Sequence, residues 1–315
     1  MKDLSFLKQW VDHFTETAVV GVDLGSALVK VVEIDPSQKP MVLRRAAVIE
    51  TAQANSAALL KQIFVKAGIT ARYVAVGLSS PEVIVRPFQF PRMPAKELNS
   101  AVQLEAEQAV LNGHSLDEVA IDWHTFSNPS TDSVRGVLAV APKTLVADRL
   151  QMIEAAGLIA RVIDVEGLAL WNAYWALIGA GEPAPKTVLL INLGAETTNL
   201  IIAKGPDELI FGRDLQLGNC ALVQGQEKEW VSEVQDSLSY VRSKGGLCSI
   251  DTVYVTGGGS ANPNLPALLK TIVQVPIFLW NPLHQMSQDP TSPPLEDSLG
   301  PVLTLAVGLA LRQIL

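Results

Sequence analysis

The chain has 315 residues, 48% hydrophobic and 18% charged, and its 24 Lys and Arg against 32 Asp and Glu leave a formal charge of −8. That length carries a large core and two or more lobes, while the negative balance disfavours nucleic acid and anionic lipid as primary partners. Cys220 and Cys248 lie apart in a thiol-poor chain, the apolar tract at 302–311 is far short of the roughly 20 residues that span a bilayer, and the first residues lack a signal-peptide core. The expectation is a soluble protein of a reducing compartment, by default the cytoplasm.

Residues 1–18 place Leu4, Leu7, Trp10 or Val11, and Phe14 at helical spacing, which predicts an amphipathic N-terminal arm. Residues 19–34, VVGVDLGSALVKVVEI, read as two strands joined by a tight turn at Asp23-Leu24-Gly25-Ser26. A strand at 41–49, a helix at 56–67 closed by Gly68 and a buried strand at 73–78 follow. Pro81 opens a different texture: a strand at 82–90, a corner at Pro91-Arg92-Met93-Pro94, a helix from 95 to about 111, strands at 117–126 and 134–141, a helix at 143–156 and a strand at 159–163. This β-α-β-β-α-β order predicts a compact inserted subdomain.

A helix at 165–178 and a loose linker at 179–185 lead to a second hairpin at 187–203, TVLLINLGAETTNLIIA. There Asn192 stands 169 positions after Asp23 (192 − 23) in the same strand–turn–strand setting. The rest reads as a strand at 208–214, a long helix at 226–244, a buried strand at 252–255 entering Gly257-Gly258-Gly259, a helix at 264–273, a strand at 275–279, a polar proline-rich loop at 285–294 and an apolar helix at 299–315. Two hairpins in one setting predict a duplicated α/β fold whose halves face each other.

A polyphosphate needs backbone N–H groups in tight turns and nearby hydroxyls, and its Mg²⁺ takes carboxylates, often through water. In the first hairpin Gly25 permits close approach, Ser26 offers a donor, Asp23 suits hydrated Mg²⁺ and Lys30 is a counter-charge. The second contributes Asn192, Gly194, Thr197 and Thr198, and Gly257, Gly258 and Gly259 make a loop on which a sugar or α-phosphate can rest. Between the halves, Asp164 and Glu166 are candidates to orient an attacking water, or are acids placed for a helix dipole. No G-x-x-x-x-G-K-[ST], H-E-x-x-H, C-x-x-C or G-x-S-x-G occurs, and His13, His114, His124 and His284 are scattered.

These features resemble the actin-like ATPase superfamily and, within it, the PilM-like proteins of type IV pilus assembly. The stretches that carry the likeness are VDLGSALVKVVEI, VRPFQFPRMPAKELNSAVQLEAEQAV, AGLIARVIDVEGLALWNA, INLGAETTNLIIA, FGRDLQLGN, SEVQDSLSYV and VTGGGSANPNLPALL. The resemblance implies a two-lobed fold of duplicated ribonuclease-H-like halves with a small SHS2-like α+β insert. On that reading residues 19–80 and 164–185 form the first lobe, 81–163 the insert and 186–315 the second lobe, with a reduced part at about 205–250. It also implies ATP or ADP with Mg²⁺, Glu233 among the nucleotide contacts, and a cytoplasmic scaffold held to the inner membrane through partners. Those partners are the cytoplasmic tail of a PilN-like protein, docking near the strand at 82–90 and the helix at 95–111, and other pilus assembly components. Ala27 and Leu28 replace hydroxyls of the family's first loop, Asn192 replaces its usual Asp, and Asp236 stands where a basic residue is common, so weak or absent hydrolysis is expected. The alternatives are an active ATPase or phosphotransferase on the same fold, and a GspL-like secretion or FtsA-like division scaffold.

Overall fold

The computed structural model describes residues 19–51, 57–110, 115–126, 132–244 and 249–312. The expected N-terminal arm, His114, Cys248 and residues 127–131 of the polar turn read at 127–133 lie outside them.

β1 (Val19–Leu24) and β2 (Leu28–Asp35) form the first hairpin, with Asp23 opposite Lys30, and β3 (Val42–Glu50) completes an antiparallel meander. α1 (Ala57–Ala67) then returns the chain to β4 (Tyr73–Leu78), which lies parallel to β1. Next come β5 (Ile84–Pro91), α2 (Ala95–Ala109), β6 (Val119–Phe126), β7 (Ser133–Pro142), α3 (Lys143–Ala155), β8 (Ile159–Val165) and α4 (Glu166–Leu177). The second half opens with the meander β9 (Thr187–Leu193), β10 (Thr198–Lys204) and β11 (Leu209–Leu215), followed by α5 (Asn219–Val223) and α6 (Glu227–Ser243). β12 (Thr252–Thr256), α7 (Leu265–Ile272), β13 (Ile277–Leu279), β14 (Ser287–Gln288) and α8 (Gly300–Leu311) end the described chain.

Among the described residues the strands form three sheets, ordered β14-β3-β2-β1-β4-β8, β11-β10-β9-β12-β13 and β5-β7-β6. Without β14, the first two share one plan: a three-stranded meander whose first strand pairs with a parallel strand, which in turn pairs with a second parallel strand at the edge. The duplication expected from the two hairpins is therefore carried through both sheets.

Alternation along β2 explains how a sheet is covered on both faces. Val29 and Val31 enter one apolar cluster with Leu60, Ile63 and Phe64 of α1 and Ile153 of α3, whereas Val32 and Ile34 enter another with α4 and α8. The latter two helices are exchanged between the halves. α4 follows the first sheet yet packs on β10, and α8 follows the second yet packs on β1 and β2. They cross closely because Gly308 sets α8 against the Ala169 carbonyl, and Gly21 sets β1 against Ala306 and Ala310. A methyl at either glycine would overlap backbone.

Three details differ from the sequence reading. β8 pairs with β4 and so leaves the sheet β5-β7-β6 with which it was grouped, while α3 bridges the two, packing on the first half through fully buried Ile153 and touching β6 and β7 on its other side. Consecutive order suggested one unit, but the parallel register Tyr73↔Ile159 is long-range and leaves no local signal. The polar loop at 285–294 includes β14, which adds to the edge of β3 through Ser287 N–H to Met41 O and Asp289 N–H to Leu43 O, both at 3.0 Å. The short helix α5 was not anticipated.

Candidate functional site

The two hairpins place chemically equivalent positions at the ends of β1 and β9. In the first, Lys30 Nζ donates to Asp23 Oδ2 at 2.9 Å, the pair being almost enclosed with side chains 13% and 2% exposed. The ammonium lies over Gly25, where a Cβ would come within 2.7 Å of it, so the missing side chain makes room for the cation. Asp23 Oδ1 is buried and accepts no hydrogen bond. The turn is braced from outside by Thr51, whose N–H donates to Ala27 O at 2.8 Å, and Ser26 is exposed.

In the second hairpin the register sets Asn192 opposite Asn199, as Asp23 is set opposite Lys30. Asn192 Nδ2 donates to Asn199 Oδ1, Asn199 Nδ2 donates to Asp214 Oδ1, and Ser79 Oγ donates to Asp214 Oδ2, each at 2.7 Å. Ser79 follows β4, so this chain of bonds ties the second half to the first. The turn itself leans on α5, whose first amides donate to Gly194 O and Ala195 O at 2.9 Å. Thr197 Oγ1 stands over Gly194.

Gly257, with φ +91°, brings the glycine loop onto this hairpin: a Cβ there would stand 2.5 Å from Leu193 O and 2.7 Å from Asn192 Oδ1. Gly259 packs against Leu193 and Asn219, while Gly258 is exposed, with Val302 Cγ2 at 4.0 Å from where a Cβ would stand. The second hairpin and the glycine loop are therefore one surface.

Glu166, at the start of α4, joins the hairpins. It passes beside Gly77, where a Cβ would meet its Cγ at 3.1 Å. Burial pushes its carboxyl up to about 8, helped by the charges of Asp23 and Asp214 and opposed by Lys30 and Arg149. Asp214 is also raised, by burial, against its bonds from Asn199 and Ser79. Burial lowers Arg149, whose charge is felt by Glu166 and Asp23. At neutral pH Glu166 is thus mainly a neutral acid, able to donate a hydrogen bond but a poor base.

Other expected residues go elsewhere. Asp164 accepts from Val165 N–H at 3.0 Å and from Arg312 Nε at 3.1 Å, so it fastens the β8–α4 junction to the end of α8 rather than standing beside Glu166. The Thr198 hydroxyl, fully buried, donates to Leu217 O at 2.6 Å and accepts from Trp230 Nε1 at 3.0 Å, which leaves it no proton for a ligand. Glu233 is half exposed, pairs with Arg213 at 2.8 Å and lines the cavity that borders Asp214. Asn199, Asp214 and Ser79 were missed. Asn199 was findable, since it repeats the seven-residue step from Asp23 to Lys30; Asp214 and Ser79 meet only in the folded chain.

A cavity of about 410 Å³ borders this cluster at Asp214. Ser80, Pro81 and Val83–Val85, where the chain leaves the first half for the three-stranded sheet, form one wall; Gly212–Leu217 and Glu233 form the other. Its lining includes none of the hairpin or loop glycines. Among the described residues no group of three His, Cys, Asp or Glu is gathered as a metal centre, and no helix is long and apolar enough to cross a membrane. The acceptor left on Asp23 is what a hydrated cation would use.

Comparison with known proteins agrees with this architecture. A solved structure of a PilM–PilN type IV pilus biogenesis complex aligns with a TM-score of 0.78 and 26% identity over 94% of this chain and 98% of that one. A Bacteroides thetaiotaomicron protein described as having an actin-like ATPase fold and unknown function aligns at 0.48, with 10% identity over 84% and 91%. The cytoplasmic domain of EpsL from the type II secretion system of Vibrio cholerae also aligns at 0.48, with 13% identity over 93% and 94%. The two lower scores carry no weight for function. The fold is the actin-like ATPase fold. The family described as type IV pilus assembly protein PilM matches residues 21–227, from the first hairpin to the first residue of α6 and so across most of the site just described, and the chain belongs to that family.

Proposed function

We propose that this protein is a nucleotide-binding scaffold of type IV pilus assembly. It takes ATP or ADP, with Mg²⁺, between its halves and holds the cytoplasmic tail of a PilN-like inner-membrane protein. The observation that carries the nucleotide reading is the pseudo-symmetric pair of hairpins, one with a lysine seated over its turn glycine and the other merged with a glycine loop. Lys30 would face phosphate charge, the open backbone at Gly258 would lie under the sugar or α-phosphate, and Asp23 Oδ1 would accept from the water shell of the metal. Mg²⁺ supplies neutralisation of phosphate charge when bound.

The tail reading rests on the likeness to the PilM–PilN complex and on the groove at Ser80–Val85. This groove lies where β5 packs against β11, and its lining mixes apolar Pro81 and Val83–Val85 with polar Ser80, Arg213, Asp214 and Glu233. Its wall at Asp214 belongs to the hydrogen-bond chain that reaches Asn192, so closure of the halves over a nucleotide would alter tail affinity. The protein would sit beneath the inner membrane through this partner and contact other assembly components. Hydrolysis is expected to be slow, because a protonated Glu166 accepts no proton.

Thermal unfolding with ADP or ATP, with and without Mg²⁺, tests the first half of this reading: a rise of several degrees supports it, and no rise at saturating ligand sinks it. Calorimetric titration of a synthetic PilN-type tail, with and without nucleotide, tests the second.

A further inference from the structure

The side-chain chain that ends on Asn192 has a direction imposed at its far end. An ionised carboxylate only accepts, whereas a carboxamide has one accepting and one donating end. Asp214 takes the Ser79 hydroxyl on one oxygen and therefore requires the NH₂ of Asn199 on the other. That turns Asn199 Oδ1 towards Asn192, which must meet it with its own NH₂. Asn192 is left with its oxygen on the side of Gly257, receiving no hydrogen bond within the described residues. In the first hairpin Lys30 likewise occupies one oxygen of Asp23 and leaves the other bare. Two acceptor oxygens without protein partners thus stand at equivalent ends of β1 and β9.

We propose that Asn199 and Asp214 are positioning residues that fix the polarity of Asn192, so that a neutral amide presents an oxygen to the cleft as a carboxylate would. The ligand group that this oxygen meets is a hydrogen-bond donor, and with a polyphosphate the donor is the water shell of its divalent cation. The proposal deepens the nucleotide reading above and rests on it. It also gives the fully buried Asn199 and the half-buried Asp214 a purpose that packing alone would not require, since an apolar side chain would fill β10 at Asn199 without a buried amide to satisfy.

The test measures ADP affinity of the full chain by calorimetry, with and without Mg²⁺, and reads the ratio of the two. Asp214→Asn keeps the size of the side chain but lets it donate, so both amides can invert and Asn192 can turn its NH₂ outward. The Mg²⁺ enhancement is expected to fall about tenfold, the worth of one charge-assisted hydrogen bond. The double variant Asn192→Asp with Asp214→Asn moves the accept-only group to the other end of the chain. Asn199 then donates to residue 192, accepts from residue 214, and an oxygen faces the cleft again, so the enhancement is expected to return. A role in packing alone predicts no such rescue. An undiminished enhancement in Asp214→Asn overturns the proposal, as does a folded double variant without recovery. Wild-type protein that binds ADP with no Mg²⁺ enhancement overturns it while sparing the nucleotide reading, and wild-type protein that binds no ADP removes both.

Discussion

Replacing Glu166 by Gln separates the electrostatic cost of this residue from its shape. In the fold its carboxyl is pushed up to about 8 from 4.5, first by burial and then by the charges of Asp23 and Asp214. Between those two values the folded chain keeps a proton that the unfolded chain has released, so stability is greatest below this window and falls as pH rises through it. Each pH unit costs about 1.4 kcal/mol, which amounts to about 2 kcal/mol at pH 6 and about 4 kcal/mol near pH 8, where the folded carboxyl begins to ionise as well. Gln fills the same space beside Gly77 and does not titrate. Urea midpoints of the two proteins should nearly coincide at pH 4.5 and separate steadily towards pH 8, with the variant the more stable. Parallel curves across that range would refute the placement of Glu166 as a proton-holding group between the hairpins.

The remaining expectations concern other contacts. Lys30→Met leaves the enclosed Asp23 carboxylate without its cation and should cost about 3 kcal/mol by urea unfolding at pH 7, together with the thermal shift given by ADP. Gly308→Ala forces α8 off the Ala169 carbonyl and should cost about 3 kcal/mol or more; a midpoint within error of wild type would show that the helices have room to separate. Ser80→Trp fills the groove from its rim, so affinity for a PilN-type tail should fall at least about tenfold, with the melting temperature little changed. Any phosphate release from ATP should rise from pH 6.5 towards pH 8 as Glu166 ionises, and Glu166→Gln should abolish that rise.

The duplicated plan was legible because its signals are local. An apolar run, a turn with Gly25 or Gly194, and a second apolar run declare each hairpin from a short window, and the buried strands at β4 and β12 are short runs bounded by turns. What escaped was long-range or polar. The register that seats β8 beside β4 depends on residues some 86 positions apart (159 − 73), and β14 consists of Ser287 and Gln288, which carry no apolar alternation. In the site, the spacing of Asp23, Gly25 and Lys30 announced a charged turn, and the structure supplies the contact behind it. Thr198 misled because a hydroxyl at a turn reads alike whether it faces a ligand or, as here, an indole N–H in the core. Asp164 and Glu166 were indistinguishable in sequence. The change from strand to helix between them sends one side chain to Arg312 and the other to the hairpins.

The exchange of α4 and α8 also dictates when the molecule can be completed. One face of the first sheet, including Val32 and Ile34, finds its cover in α8, which begins at Gly300. The earliest strands, which begin at Val19, therefore stay unsealed until α8, some 280 residues later (300 − 19), has left the ribosome, and the nascent domain waits half-dressed until then. Truncation before that helix should unravel the front of the protein rather than its tail, and neither half should survive as an isolated fragment.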